Sequence, residues 1–142
     1  MREISKQIKL ISENFLLLNK SKNIIAINDA IKLIIIALKK KNKIMFCGNG
    51  GSASDSEHIS AELIGRYLKK RKSYSAISLS SNISAMTAIA NDYNFSDIFS
   101  RQIEGIGKKN DVLFAISTSG KSKNIIKALL TARKKKINTI FL

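Results

Sequence analysis

The sequence predicts an α/β domain: an open three-layer parallel sheet flanked by helices, behind a helical lead-in. Three observations predict it. Two long stretches at the start carry apolar residues at helical spacing, four short apolar runs follow, and helical patterns separate those runs. Strands that alternate with helices imply right-handed crossovers and parallel pairing.

Over residues 1–20, Ile4, Ile8, Ile11, Phe15 and Leu18 recur at steps of three and four, one stripe of a helix. Residues 23–41 repeat the pattern through Ile24, Ile27, Ile31, Ile34, Ile35 and Leu38. These helices carry more apolar surface than a small sheet can cover, which points to packing against another subunit. The strand candidates are 44–47, 75–79, 112–116 and 137–142. Helical patterns lie between them at 53–68, at 83–90 with a further short one at 96–106, and at 122–135. The expected organisation is one domain over 1–142, with 1–41 as lead-in and 42–142 as α/β core.

Composition limits the function classes. The chain has 142 residues, 44% hydrophobic and 25% charged, which is ordinary for a globular domain. Its single Cys excludes a disulfide framework and a multi-cysteine zinc site. The longest apolar stretch, Ile24 to Leu38, is broken by Asn28, Asp29 and Lys32 and is too short to span a bilayer. Nothing at the N-terminus reads as a secretion signal, so a cytoplasmic protein is expected.

A net charge of +15 invites a nucleic-acid reading. Lysine far outnumbers arginine, and the abundance of Ile, Lys and Asn with no Pro matches AT-rich codons. The basic runs 39–41, 69–72 and 133–136 each close a helical pattern, where cations suit the helix dipole and stay solvated. No aromatic residues interleave with them as a stacking surface requires, so no nucleic-acid partner is expected.

In open α/β sheets ligands sit past the carboxyl ends of the strands. After the first strand comes Gly48-Asn49-Gly50-Gly51-Ser52, then a helix. Such a turn permits positive φ and close backbone approach to a ligand, and the helix start offers N–H groups to an anion. Ser52 with Asp55 equally resembles a capping pair. The turn has neither dinucleotide-binding nor P-loop spacing. On the helix it opens, His58 and Glu62 stand four apart on one face, able to ligate a metal, act as an acid/base pair, or face solvent. After the third strand, Ser117-Thr118-Ser119-Gly120-Lys121-Ser122 offers four hydroxyls at a helix start, a neutral cradle for a phosphate monoester or an N-cap with hydroxyls to spare. Asn91-Asp92 reads as a turn pair or as groups for sugar hydroxyls, and Cys47 as a small buried hydrophobe.

These residues resemble the sugar isomerase (SIS) domain family and, within it, the phosphoheptose isomerases. The matching stretches are C-G-N-G-G-S at 47–52, His58 with A-E-L-I-G-R-Y at 61–67, A-I-A-N-D-Y at 88–93, D-I-F-S-R at 97–101 and I-S-T-S-G at 116–120. The resemblance implies a SIS-type, flavodoxin-like topology. It also implies aldose–ketose isomerisation of sedoheptulose 7-phosphate to D-glycero-D-manno-heptose 7-phosphate, in heptose synthesis for lipopolysaccharide. It gives the phosphate to Ser117, Thr118, Ser119 and Ser122, and the sugar to Asn49, Gly50, Gly51, Glu62, Asn91 and Asp92. Glu62 would be the acid/base that moves a proton between C1 and C2 through an enediol. His58 and Glu62 would be two ligands of one zinc per subunit, in a homotetramer with sites shared between subunits. Alternatives are a non-catalytic sugar-phosphate-binding or regulatory SIS module, or a protein associated with replication initiation.

The pattern departs from the family at Lys121, where Asn is usual, at Asn82-Ile83 in place of Asp-Thr, and at Ala90 in place of Gly. Family members continue past the fourth strand through a further strand and a long helix carrying a Gln and a His, to which the resemblance assigns the other metal ligands. The expectation is a domain whose last strand and helix are missing, with an incomplete zinc site and impaired catalysis.

Overall fold

A computed structural model describes residues 2–142. It falls into two compact units divided within the second helix, the second running Ile34–Leu142. The first unit holds α1 (Arg2–Leu18) and most of α2 (Ser21–Lys39). The Asn23 side-chain amide donates to the Leu17 carbonyl at 2.8 Å and closes the joint between these helices. No residue of α1 is buried, and Ile4, Ile8, Phe15 and Leu16 are each at least 60% exposed. The expected apolar stripe is therefore present and uncovered.

The second unit contains β1 (Ile44–Gly48), α3 (Gly51–Ile64), β2 (Ala76–Ser78), α4 (Ile83–Asp92), a 3-10 turn Phe95–Asp97, α5 (Ser100–Ile106), β3 (Val112–Ile116), α6 (Lys123–Lys134) and β4 (Asn138–Phe141). All four strands pair in parallel in the order β2-β1-β3-β4. Ile44 registers with Ala76 on one side and Val112 on the other, so β1 and β3 are central, and they read as unbroken apolar runs because helices cover both faces. Met45, Cys47, Leu113 and Ala115 share the main core with Leu79, Ile98, Phe99 and Ile103, and with Ile125, Ala128 and Ala132 of α6. Phe46 and Phe114, paired across strands, meet with ring centroids 5.6 Å apart.

Asp111, 1% exposed, joins the amino ends of β1 and β3. Its carboxylate accepts from the Lys43 and Lys108 backbone N–H groups at 3.0 and 2.8 Å and from the Lys43 ammonium at 2.6 Å. Burial pushes this carboxyl up, but the Lys43 ammonium and the two N–H donors outweigh it and hold the group below its ordinary value. With the strands clamped at this end, the loops at the other end carry the variable chemistry.

The element pattern matches the sequence reading, with local corrections. The helix expected to reach 68 stops at Ile64, so the basic run 69–72 lies outside any helix. Arg71 nevertheless turns back onto α3, donating to the Leu63 and Glu62 carbonyls at 2.9 and 2.7 Å. The helix end still receives its cation, through space and not along the chain. Tyr67 is 73% exposed, whereas Phe99 is fully buried.

Candidate functional site

Strand order reverses between β1 and β3, because the chain goes outward from β1 to β2 and then returns to the other side of β1. Loops leaving the carboxyl ends of β1 and β3 therefore flank one crevice.

The β1 loop is shaped by two glycines. A Cβ on Gly48 would meet the Ser52 carbonyl oxygen at 2.3 Å, so the strand end and the first turn of α3 fit together only without a side chain there. Gly50 has φ +55° and is the N-cap of α3, with no side-chain cap. Ser52 is thus not the cap that its spacing with Asp55 implied: it lies within the first turn, its N–H donating to the Asn49 carbonyl at 3.0 Å. Behind the loop, the buried Ser80 hydroxyl donates to the Gly48 carbonyl at 3.1 Å.

The β3 loop brings Ser117, Thr118, Ser119 and Ser122 around a small cavity of about 60 Å³ that Asn49 and Ser52 complete from the β1 side. Ser122 is the N-cap residue of α6, yet its hydroxyl bonds no helix N–H and lies 3.4 Å from the Ser117 hydroxyl. Bonded to no helix N–H and only at long range to Ser117, this hydroxyl can turn to a ligand. No carboxylate lines this cavity, and α6 points its positive end at it. Hydroxyls and helix N–H groups without a competing anion make a cradle for a phosphate.

A second cavity of about 450 Å³ adjoins it, lined by Asn49, Asn94, Phe95, Ser96, Ser122 and Lys123, with Asn124. Asn49 lines both cavities and pairs with Asn124, which lines the second. Their side-chain amides are paired reciprocally: Asn49 Nδ2 donates to Asn124 Oδ1 at 3.0 Å, and Asn124 Nδ2 to Asn49 Oδ1 at 2.8 Å. Asn124 was not singled out in the sequence, although a signal exists there. It shares the buried face of α6 with Ala128 and Ala132, four and eight residues on, and a polar residue on an apolar stripe asks for a partner.

His58 and Glu62 do pair along α3, with Nε2 and Oε1 3.7 Å apart, and their side chains are 76% and 35% exposed. Neither lines the two cavities. Glu62 lies eleven positions beyond Gly51, about 16 Å along the helix. Among the described residues, no group of three His, Cys, Asp or Glu side chains is placed to hold a metal. Asn91 and Asp92, expected in a turn, occupy the last turn of α4, because the helical pattern of Met86 and Ile89 carries through them. The Asn91 amide donates to the Asp92 carboxylate at 2.9 Å, and both are exposed. Cys47 is buried as expected, its thiol pushed up to about 12 by burial. A larger groove of about 810 Å³ runs elsewhere, along α6 and the open edge of β4, lined by Ile126, Leu130, Phe141, Arg133 and Lys136 among others. It has none of the clustered serines.

A family model for the SIS domain matches residues 13–142. The phosphoheptose isomerase of Akkermansia muciniphila is 44% identical over 139 residues, which cover 98% of this chain and 72% of that protein. The chain belongs to the phosphoheptose isomerase branch of the SIS domain family. The phosphoheptose isomerase of Helicobacter pylori (strain ATCC 700392 / 26695) is 53% identical over 117 residues, 82% of this chain and 61% of that protein. Among solved structures, the phosphoheptose isomerase of Neisseria gonorrhoeae superposes with a TM-score of 0.84 at 35% identity, covering 99% of this SIS domain and 70% of that chain. The chain spans 58–61% of the length of several curated relatives it matches. No helix among the described residues is long and apolar enough to cross a membrane.

Proposed function

We propose that this SIS domain binds a sugar phosphate and takes part in converting sedoheptulose 7-phosphate to D-glycero-D-manno-heptose 7-phosphate, a cytoplasmic step toward lipopolysaccharide heptose. The observation that carries the reading is the convergence of the β1 and β3 loops on a serine-lined cradle without a carboxylate, at the point where strand order reverses. The names of the relatives point to a phosphoheptose, and the family resemblance supplies the particular ketose and aldose.

In this reading Ser117, Thr118, Ser119 and Ser122 hold the phosphate. Asn49, Gly50 and Gly51 bear on the sugar, with Asn91 and Asp92 from the end of α4. Glu62 takes the proton from C1 of the ketose and returns it to C2, while a second proton passes from the C1 hydroxyl to the C2 oxygen, so the carbonyl moves from C2 to C1 through an enediol. Because Glu62 lines neither cavity, the proposed site takes this carboxylate from a neighbouring copy of the chain. The proposed assembly is a homotetramer, supported by the uncovered apolar stripe of α1. Zinc is the ion proposed for His58 and Glu62, but two donors do not hold it alone.

A second reading, a sugar-phosphate-binding module without catalysis, is favoured by the exposure of His58 and Glu62 away from the cradle. Two measurements test the proposal. Titration with sedoheptulose 7-phosphate should show binding that Ser119→Ala weakens about tenfold, the loss of one hydrogen bond to a charged group; binding indifferent to Ser119 refutes the cradle. Glu62→Gln should abolish isomerisation and leave binding intact. Isomerisation surviving that change refutes the assignment of Glu62, and binding without isomerisation in the unsubstituted chain favours the second reading.

A further inference from the structure

We propose that Asn124 is a positioning residue: through its reciprocal amide pair with Asn49 it sets the spacing between the phosphate cradle and the sugar-facing β1 loop. The proposal rests on the sugar-phosphate reading and extends it to a residue that would not touch the substrate's phosphate.

The two asparagines are 75 positions apart in sequence and follow different strands. Asn49 follows β1, and Asn124 is in the first turn of α6, after the serine loop. Asn124 is 2% exposed, and every polar atom of its side chain is used. Its oxygen accepts from Asn49 Nδ2 at 3.0 Å and from the Ile125 N–H at 2.9 Å, while its nitrogen donates to Asn49 Oδ1 at 2.8 Å. An amide held at both ends has one orientation. Asn49 consequently has one orientation too, since its own oxygen and nitrogen are both engaged by Asn124.

Asn49 and Ser122 line both the small serine cavity and the larger one beside it. A ligand with its phosphate in the first and its carbon chain toward the second must pass this wall. Among the described residues no other side-chain hydrogen bond joins the two loops, so without the pair each still presents its own groups. The pair therefore matters for ligands that bridge both loops and little for a ligand that fills the cradle alone.

The test compares two probes, inorganic phosphate and sedoheptulose 7-phosphate, titrated calorimetrically into the unsubstituted chain and into Asn124→Ala at a temperature where circular dichroism shows both folded. Asn124→Ser, which keeps a small polar group at the site, serves if the alanine variant does not fold. The expected result is a roughly tenfold loss of affinity for the sugar phosphate, equivalent to about 1.4 kcal/mol, with inorganic phosphate changed less than about twofold. A merely structural role lowers the melting temperature without producing this split. Equal loss for both probes, or loss for neither, overturns the positioning role while leaving the cradle in place. An unsubstituted chain that binds neither probe overturns the sugar-phosphate reading and the positioning role together.

Discussion

Gly48→Ala tests how tightly the candidate site depends on the fold beneath it. The added Cβ would stand 2.3 Å from the Ser52 carbonyl oxygen, 2.5 Å from its carbonyl carbon and 2.7 Å from its Cβ. Ordinary carbon–oxygen contact begins at about 3.3 Å, so the first turn of α3 must retreat by roughly 1 Å. The obstacle is backbone, which cannot rotate aside as a side chain can. Retreat pulls on the 3.0 Å bond from the Ser52 N–H to the Asn49 carbonyl and moves Ser52 at the edge of the cradle. Overpacking of this kind costs about 3 kcal/mol, set against a gain of about 0.5 kcal/mol from the stiffer unfolded chain. The clash wins, and a net loss of about 2.5 kcal/mol lowers the melting temperature of a domain this size by roughly 10 °C. Circular dichroism melts measure the first effect, and phosphate titration of the folded fraction measures the second. A variant that melts within about 2 °C of the original and binds phosphate unchanged would refute the reasoning.

Asp111 makes stability depend on acid. Its folded value lies below its unfolded one, so its contribution is complete above the unfolded value near pH 4 and drains away as pH falls through the folded value; Asp111→Asn should flatten chemical-denaturation stability over that range and lower it by about 2 kcal/mol at neutral pH. Cys47, fully buried with its thiol at about 12, should resist a thiol-reactive disulfide reagent in the folded chain and react as one equivalent on unfolding; rapid labelling of the folded chain would contradict its placement. Lys121, exposed beside the cradle, should strengthen phosphate binding through charge alone: Lys121→Glu weakens binding about fivefold at low salt, and the difference shrinks at about 0.5 M salt. A salt-independent effect would point to a direct bond instead.

Most of the fold could be read from local pattern, because the apolar runs at 44–47 and 112–116 have nowhere to go but a sheet covered on both faces. The positions of the two loops followed from the same rule. What escaped was decided by partners distant in sequence. Gly50, and not Ser52, caps α3, because the close fit of Gly48 against Ser52 fixes where the turn ends and the helix begins. Arg71 reaches a helix end that its own run does not adjoin. Asn124 looks like an indifferent helix residue until Asn49, 75 positions earlier, is placed against it. Periodicity also put His58 and Glu62 on one face correctly, yet said nothing of how far along α3 they stand from the cradle.

The open edge of β4 has a colloidal consequence. Among the described residues this strand pairs on one side only, and Phe141 and Leu142 beside it are 51% and 72% exposed. Unpaired strand edges with apolar neighbours are templates for sticking. Close at hand stand Arg133 and Lys136, part of a chain carrying +15 overall. Like-charged molecules keep such edges apart at low ionic strength, where the screening length is about 30 Å at 0.01 M, and lose that protection as it contracts to about 3 Å at 1 M. The lysine-rich composition thus acts as a repulsive coat. Light scattering should show particle growth as monovalent salt is added, the reverse of what dispersal by salt of oppositely charged contacts would give.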